Sequence, residues 1–229
     1  MAKIISYKNP ELATIKDNKA LWNLPKTRRF GYRNLHKINR YGLFLRSDLI
    51  LKLKKNYKKE IGVKPLVKRL TKNKSFCSLI VGNGQNILFE KYAKDFSYNQ
   101  PQTIMSITKM FANLFVGELL KNKKINLNKN VSYYLPKIGS GYAKAKVQDI
   151  LNMNVVNAYT EDYTKAYSSS FMHEPVGGWR LPKSGQIKLS QEQYLNTIKN
   201  IKNRDLKNNS EYALYKSANT DVIGLIIEK

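Results

Sequence analysis

The sequence predicts an α+β fold, an antiparallel sheet flanked by helices. Three stretches carry that prediction. Ser75–Val81 and Ile87–Tyr92 are apolar, β-favouring runs on either side of Gly82-Asn-Gly-Gln-Asn86, the pattern of a β-hairpin. Directly behind them Met105, Phe111, Leu114, Phe115 and Leu119 recur at threes and fours, the spacing of a largely buried helix. Near the C-terminus Tyr215-Lys-Ser217 leads into Val222-Ile-Gly-Leu-Ile-Ile227, a second apolar helix.

Length and composition suit a folded domain. A chain of 229 residues with 42% hydrophobic content and 15 Tyr can bury a core. One cysteine, Cys77, excludes an intrachain disulfide and a Cys-based metal cluster. The first residues contain no apolar export segment and no run reaches transmembrane length, so a cytoplasmic location and no transmembrane segment are expected. The net charge of +25 is carried mostly by Lys, scattered along the chain among abundant Asn, Ile and Tyr. Dedicated nucleic-acid readers favour Arg and concentrate it on one element. The charge therefore reads as compositional drift, and no specific nucleic-acid partner is expected, although such a surface attracts polyanions non-specifically.

In chain order, residues 1–60 read as a basic lead segment wrapping the domain, and 61–229 as the domain itself. Leu24–Arg33 has turn and loop character, and Asp48–Lys59 fits neither a strand nor a helix well. The apolar first strand of the hairpin predicts an interior place in its sheet. Its Gly-x-Gly is not a phosphate loop, since no Lys-Ser or Lys-Thr helix start follows. Beyond the Met105–Leu119 helix, Lys121–Pro136 is a polar turn and a short amphipathic piece ending at proline, and Lys146–Met153 is a short helix with Val147, Ile150 and Leu151 inward. Residues 154–188 lack a sustained period and read as a long loop whose aromatics line a pocket or pack. Gln191–Lys202 is helical. His36 and His173 show no metal-ligand spacing and read as surface or loop residues.

The chemistry lies in Ser106-Ile-Thr-Lys109. Residues three apart share a helix face, so the Ser106 hydroxyl stands beside the Lys109 amine. Pro101 keeps the helix from extending backwards, which places Ser106 in its first turns, where free N–H groups and the positive dipole end favour negative charge. Burial and the same dipole disfavour an ammonium at Lys109, so the amine can serve as a base. This is the layout of an activated nucleophile. Taken alone, S-x-x-K in a Lys-rich chain reads as an ordinary helix with Ser near its N-cap, and its context decides.

With Ser106-Ile-Thr-Lys109 and Tyr215-Lys-Ser217 both in place, the chain resembles the serine β-lactamase-like hydrolases. These comprise penicillin-binding proteins, class C β-lactamases and related esterases and amidases; the pattern is most similar to the 6-aminohexanoate-dimer-hydrolase and esterase branch. The supporting stretches are Ile125–Leu127, Val131–Pro136, Gly139-Ser-Gly-Tyr142, Val147–Leu151, Glu161-Asp-Tyr163, Gly178-Trp-Arg180 and Ser217–Gly224. The resemblance spans roughly residues 20 to 229.

It implies a β-lactamase/transpeptidase-like fold, with a helical region inserted between N- and C-terminal strands. Ser106 would be the acylated nucleophile, Lys109 its base, and Tyr215 the proton shuttle at the leaving group and the deacylating water. Lys109 would lower the Tyr215 pKa. Ser217 would hold the network, and the Ser106 N–H would supply half of an oxyanion hole. Tyr163, Asp162 and Trp179 are the candidate substrate-binding residues; Asp162 and Glu161 are also possible contacts for a substrate amine. A small-molecule ester or amide is expected as substrate, with neither metal nor cofactor. The family's K-T-G or H-x-G strand is expected after the Tyr motif, and the chain ends at Lys229 before it. Lys183-Ser-Gly185, upstream in a loop, is read as a decoy. The expectation is thus a serine hydrolase lacking its C-terminal part, or a non-catalytic remnant or binding protein of the same fold. Oligomeric state is left open.

Overall fold

The computed structural model describes residues 3–8, 19, 21–38, 41–182, 184–185, 187, 189–202 and 205–229. Lys183 of the presumed decoy lies outside them. The chain forms two compact units, Met1–Thr103 and Ile104–Lys229, so the basic lead segment shares its unit with the hairpin.

In the first unit, strand β1 (Lys3–Lys8) pairs antiparallel with β2 (Tyr41–Arg46). Between them lies α1 (Arg28–Arg33), inside a stretch expected to be loop. Its local pattern is weak, and its hold is tertiary. Arg29 grips the Asp95 carboxylate through Nε at 2.7 Å and Nη2 at 2.6 Å, and the buried Arg33 reaches the same group at 3.1 Å. Hydrogen bonds from Arg29 and Arg33 keep Asp95 well below the usual carboxylate range. Strand β3 (Lys54–Lys55) is followed by α2 (Lys59–Val63), α3 (Pro65–Lys72) and the predicted hairpin, β4 (Ser78–Asn83) and β5 (Asn86–Tyr92). Gly84 takes φ +54° at the turn, a conformation cheap for glycine. The strand order is β3-β5-β4, with β3 parallel to β5. The apolar β4 is therefore at the edge of this sheet, not inside it, because β3 takes the place beside β5. Ile80 of β4 is accordingly exposed.

The second unit begins with a 3₁₀ turn, Met105–Lys109, continuing into α4 (Met110–Lys121). It then runs through α5 (Val131–Tyr134), α6 (Ser140–Ala143), α7 (Val147–Leu151), α8 (Ser169–His173), α9 (Gln191–Asn196) and α10 (Ser217–Glu228). The α8 turn lies within the stretch expected to be loop; it is started by Ser168, whose Oγ accepts the Phe171 N–H. Ser190 and Gln193 form a capping box at α9.

One core unites these helices: Val116 from α4, Val131, Tyr142, Val147 and Ile150 from α5–α7, Leu195 from α9, and Val222, Ile223 and Ile226 from α10. The inward positions Val147 and Ile150 of α7 are those the periodicity indicated. Helix α4 differs from expectation. Val116 is buried, with Ala112 and Leu119 packed beside it, but Phe111, Leu114 and Phe115 are exposed. Apolar spacing reports where such residues lie on a helix, not whether anything covers them. Backbone contacts fix the helix pairs: Gly141 N–H donates to Ile198 O at 3.0 Å, and a Cβ on Gly139 would lie 2.3 Å from the same oxygen. That close approach is the physical reason for Gly139-Ser-Gly141. Among the described residues, no helix is long and apolar enough to cross a membrane.

Candidate active site

Ser106 lies in the second position of the 3₁₀ turn that opens α4. At three residues per turn, positions i and i+3 eclipse, which stacks Lys109 over Ser106 more directly than an α-helix would. Lys109 Nζ donates to Ser106 Oγ at 3.1 Å. Met105, immediately before the nucleophile candidate, has φ +46°, a left-handed conformation costly for a non-glycine residue and common next to functional groups. Ser106 itself is exposed and Lys109 half-buried.

Tyr215 comes to the same oxygen from the other end of the unit. Its hydroxyl donates to Ser106 Oγ at 2.7 Å, and Lys109 Nζ lies 5.6 Å from its ring centroid. With 44% of its surface exposed, Tyr215 is not a core aromatic. Burial pushes its phenol up, but hydrogen bonds with Ser106, Lys109 and Ser217, together with the Lys109 charge, outweigh that and hold it below its ordinary value. A hydroxyl oxygen offers one proton and two lone pairs. Here both lone pairs of Ser106 face donors, so a proton leaving either partner turns that partner into an acceptor for the serine proton.

The segment carrying Tyr215 is anchored on both sides. Leu214 N–H donates to Met153 O at 2.7 Å. The side chain of Lys216 is buried and donates to Tyr159 O at 2.5 Å and Asn157 O at 3.4 Å, with burial lowering its pKa. Ser217 donates its N–H and hydroxyl to Glu161, each at 2.8 Å. Tyr163 OH donates to Glu161 and lies 3.3 Å from Ser217 Oγ. Burial, followed by the hydrogen bond to Glu161, raises the Tyr163 phenol above its ordinary value. Beside Ser106 is a cavity of about 250 Å³, lined among others by Lys109, Met110, Asn113, Met153, Tyr215 and Thr220.

Five of the residues named from sequence thus gather: Ser106, Lys109, Tyr215, Ser217 and Tyr163. Asp162 turns away. Its Oδ1 accepts from Thr164 N and Oγ1, its Oδ2 meets Lys165 at 3.4 Å, and the Thr164 bonds hold its carboxyl below its ordinary value. Trp179 is on the turn after α8, packed on Gly177, and is not in the cavity lining.

Sequence reasoning missed Lys216, hidden as the middle residue of Tyr-x-Ser, and underrated His173. That histidine is buried: its Nδ1 is 3.2 Å from Tyr159 OH, its ring stacks on Tyr194 at 4.4 Å, and its Nε2 is 3.4 Å from Asp221 Oδ2. Burial lowers His173 to about 4 and raises Asp221 to about 6. A single histidine without periodic context carries no sequence signal for this place.

No protein-family model matches the chain. Over 153 residues it is 30% identical to the 6-aminohexanoate-dimer hydrolase of Paenarthrobacter ureafaciens, a match covering 66% of this chain and 37% of that protein. A solved structure from Bacillus anthracis, named “Putative 6-aminohexanoate-dimer hydrolase”, superposes with a TM-score of 0.71 at 15% identity, covering 97% of this chain and 58% of that one. The chain thus spans little more than a third of the length of this curated relative. The structural match shows the fold: α+β, β-lactamase/transpeptidase-like.

Proposed function

We propose that the chain is a β-lactamase-like hydrolase that cleaves an ester or amide through an acyl-enzyme on Ser106, a reading supported by its likeness in sequence and fold to 6-aminohexanoate-dimer hydrolases. One observation carries the reading: Ser106 Oγ is held at 3.1 Å from Lys109 Nζ and 2.7 Å from Tyr215 OH, so a nucleophile meets two proton-transfer groups at once.

In the forward half-reaction, Lys109 takes the Ser106 proton as Oγ attacks the substrate carbonyl carbon. The new oxyanion forms by the start of the 3₁₀ turn, where the Ser106 N–H is a donor and the helix dipole is favourable. As the tetrahedral intermediate collapses, the bond to the leaving oxygen or nitrogen breaks and Tyr215 protonates it. The Tyr215 phenolate then removes a proton from water, which attacks the acyl carbon; the bond to Ser106 Oγ breaks and that oxygen takes back the proton held by Lys109. A phenol below its ordinary pKa suits this exchange of acid and base roles. Ser217 and Tyr163 support the Tyr215 side of the cluster. The names of the relatives favour a linear amide among the candidate substrates.

The experiment is intact-mass spectrometry after exposure to a fluorophosphonate. Attack by Ser106 Oγ on phosphorus expels fluoride and leaves one covalent adduct. A single adduct that is absent from Ser106→Ala supports the proposal; a folded chain without that adduct overturns it.

A further inference from the structure

Lys216, ahead of α10, has extended backbone, φ −143° and ψ 122°. In extended chain, alternate side chains point to opposite sides. Tyr215 and Ser217 therefore share one side, and Lys216 anchors the other through the carbonyls of Asn157 and Tyr159. The residue that holds the Tyr215 side is Glu161. Its Oε2 accepts the Ser217 N–H and its Oε1 the Ser217 hydroxyl, both at 2.8 Å, and Tyr163 OH donates to the same carboxylate. Helix α10 runs 12 residues from Ser217, and Lys216 makes no side-chain cap bond to it. The first N–H groups of a helix lack partners within it, and its N-terminal end favours a negative charge. Glu161, brought in from 56 residues upstream, meets both needs. Three protein donors thus meet the two oxygens of this carboxylate.

We propose that Glu161 is a positioning residue for the reaction at Ser106: by gripping the N–H and hydroxyl of Ser217 it fixes the Lys216–Ser217 backbone and so places the Tyr215 hydroxyl on Ser106 Oγ. The proposal rests on the acyl-enzyme reading above for its catalytic meaning. Glu161 acts on the reacting atoms only through Tyr215.

The test follows the ionisation of Tyr215, isolated as the ultraviolet difference between each protein and its Tyr215→Phe counterpart, in the parent chain, Glu161→Gln and Glu161→Ala. The glutamine variant keeps the shape and guards against failure of the alanine variant to fold. Removing a negative charge by itself favours the phenolate and moves the titration down. Losing the placement removes the Ser106 and Lys109 contacts and moves it up. An upward shift toward the ordinary tyrosine value in the variants is the expected result; an unchanged or lowered titration overturns the proposal. Fluorophosphonate labelling of Ser106 supplies the second readout. It should slow by about tenfold to a hundredfold in Glu161→Gln, the loss typical of a hydrogen bond to a charged group. Adding Tyr215→Phe should cost no more than Tyr215→Phe alone, whereas multiplying losses would contradict action through Tyr215. Absence of labelling in the folded parent chain sinks the acyl-enzyme reading; the titration, which needs no turnover, still decides whether Glu161 places Tyr215.

Discussion

The Tyr215 hydroxyl donates to Ser106 Oγ at 2.7 Å across 109 residues of sequence, while Lys109 reaches the same oxygen from one 3₁₀ turn away. The two approaches are unequal in their supports. Lys109 is placed mainly by local helix geometry, with its Nζ 5.6 Å from the Tyr215 ring centroid. Tyr215 depends on Met153, Lys216, Ser217 and Glu161, contributed by three separate segments. Changes at Lys109 should therefore act on chemistry, and changes around Tyr215 on geometry as well.

Lys109→Ala should slow fluorophosphonate labelling of Ser106 by about a hundredfold or more, the usual worth of a positioned general base. The fold should be unaffected, since half-buried Lys109 contributes little to the core. Labelling kinetics by intact mass, with circular dichroism as the control, checks this; labelling of the variant at the parent rate would remove Lys109 from the base role.

Tyr215→Phe removes the shuttle and leaves Lys109 in place. Where an ester substrate accumulates as acyl-enzyme, its release should quicken as pH rises through the Tyr215 titration, which lies below the ordinary tyrosine value. In the phenylalanine variant that limb of the profile should be missing and release slower by about a hundredfold. A pH profile of single-turnover release decides the point.

The pair of buried His173 and partly exposed Asp221 makes a prediction about stability. Between about pH 4 and 6 the folded pair holds one proton, as Asp221 titrates near 6 and His173 near 4. The unfolded pair also holds one there, with ordinary values of 3.8 and 6.5. Stability should therefore change little with pH from this source. Replacing His173 by Gln leaves the raised Asp221, whose folded form binds the proton more tightly, so stability should fall as pH rises from about 4 to 6. Asp221→Asn leaves the depressed His173, and stability should instead rise with pH over about 4 to 6.5. Denaturant unfolding across this range would show the opposite slopes; equal slopes in the two variants would refute the pairing.

Gly139→Ala should destabilise the second unit. The added Cβ would lie 2.3 Å from Ile198 O and 2.6 Å from Asn196 O, both backbone atoms that cannot swing aside. A cost of about 2 kcal/mol or more is expected from such overpacking. The same change at Gly224, which has open space around it, would add no clash, and a comparison of denaturation midpoints tests the difference.

Much of the fold was legible because local signals and tertiary use coincide. Asn83-Gly84 marked the hairpin, Val147 and Ile150 marked the inner face of α7, and Tyr215-Lys-Ser217 marked the entry to α10. The meeting of the candidate residues was legible too, Ser106 with Lys109 through helix geometry and Tyr215 through the family resemblance. What escaped was set by distant partners. Strand β4 reads as interior, yet a two-residue strand takes the place beside β5. Phe111, Leu114 and Phe115 sit at core spacing and are exposed. His173, Lys216 and Glu161 owe their roles to contacts 14 to 59 residues away that no local pattern encodes.

The acyl-enzyme is the central claim, and acid-quenched intact-mass spectrometry during reaction with an activated ester tests it most directly. The account predicts a transient mass increase equal to the acyl group, located on Ser106 by peptide mapping, absent from Ser106→Ala and more persistent in Tyr215→Phe. Ester turnover by the folded chain with no acyl adduct at Ser106, undiminished in Ser106→Ala, would contradict it.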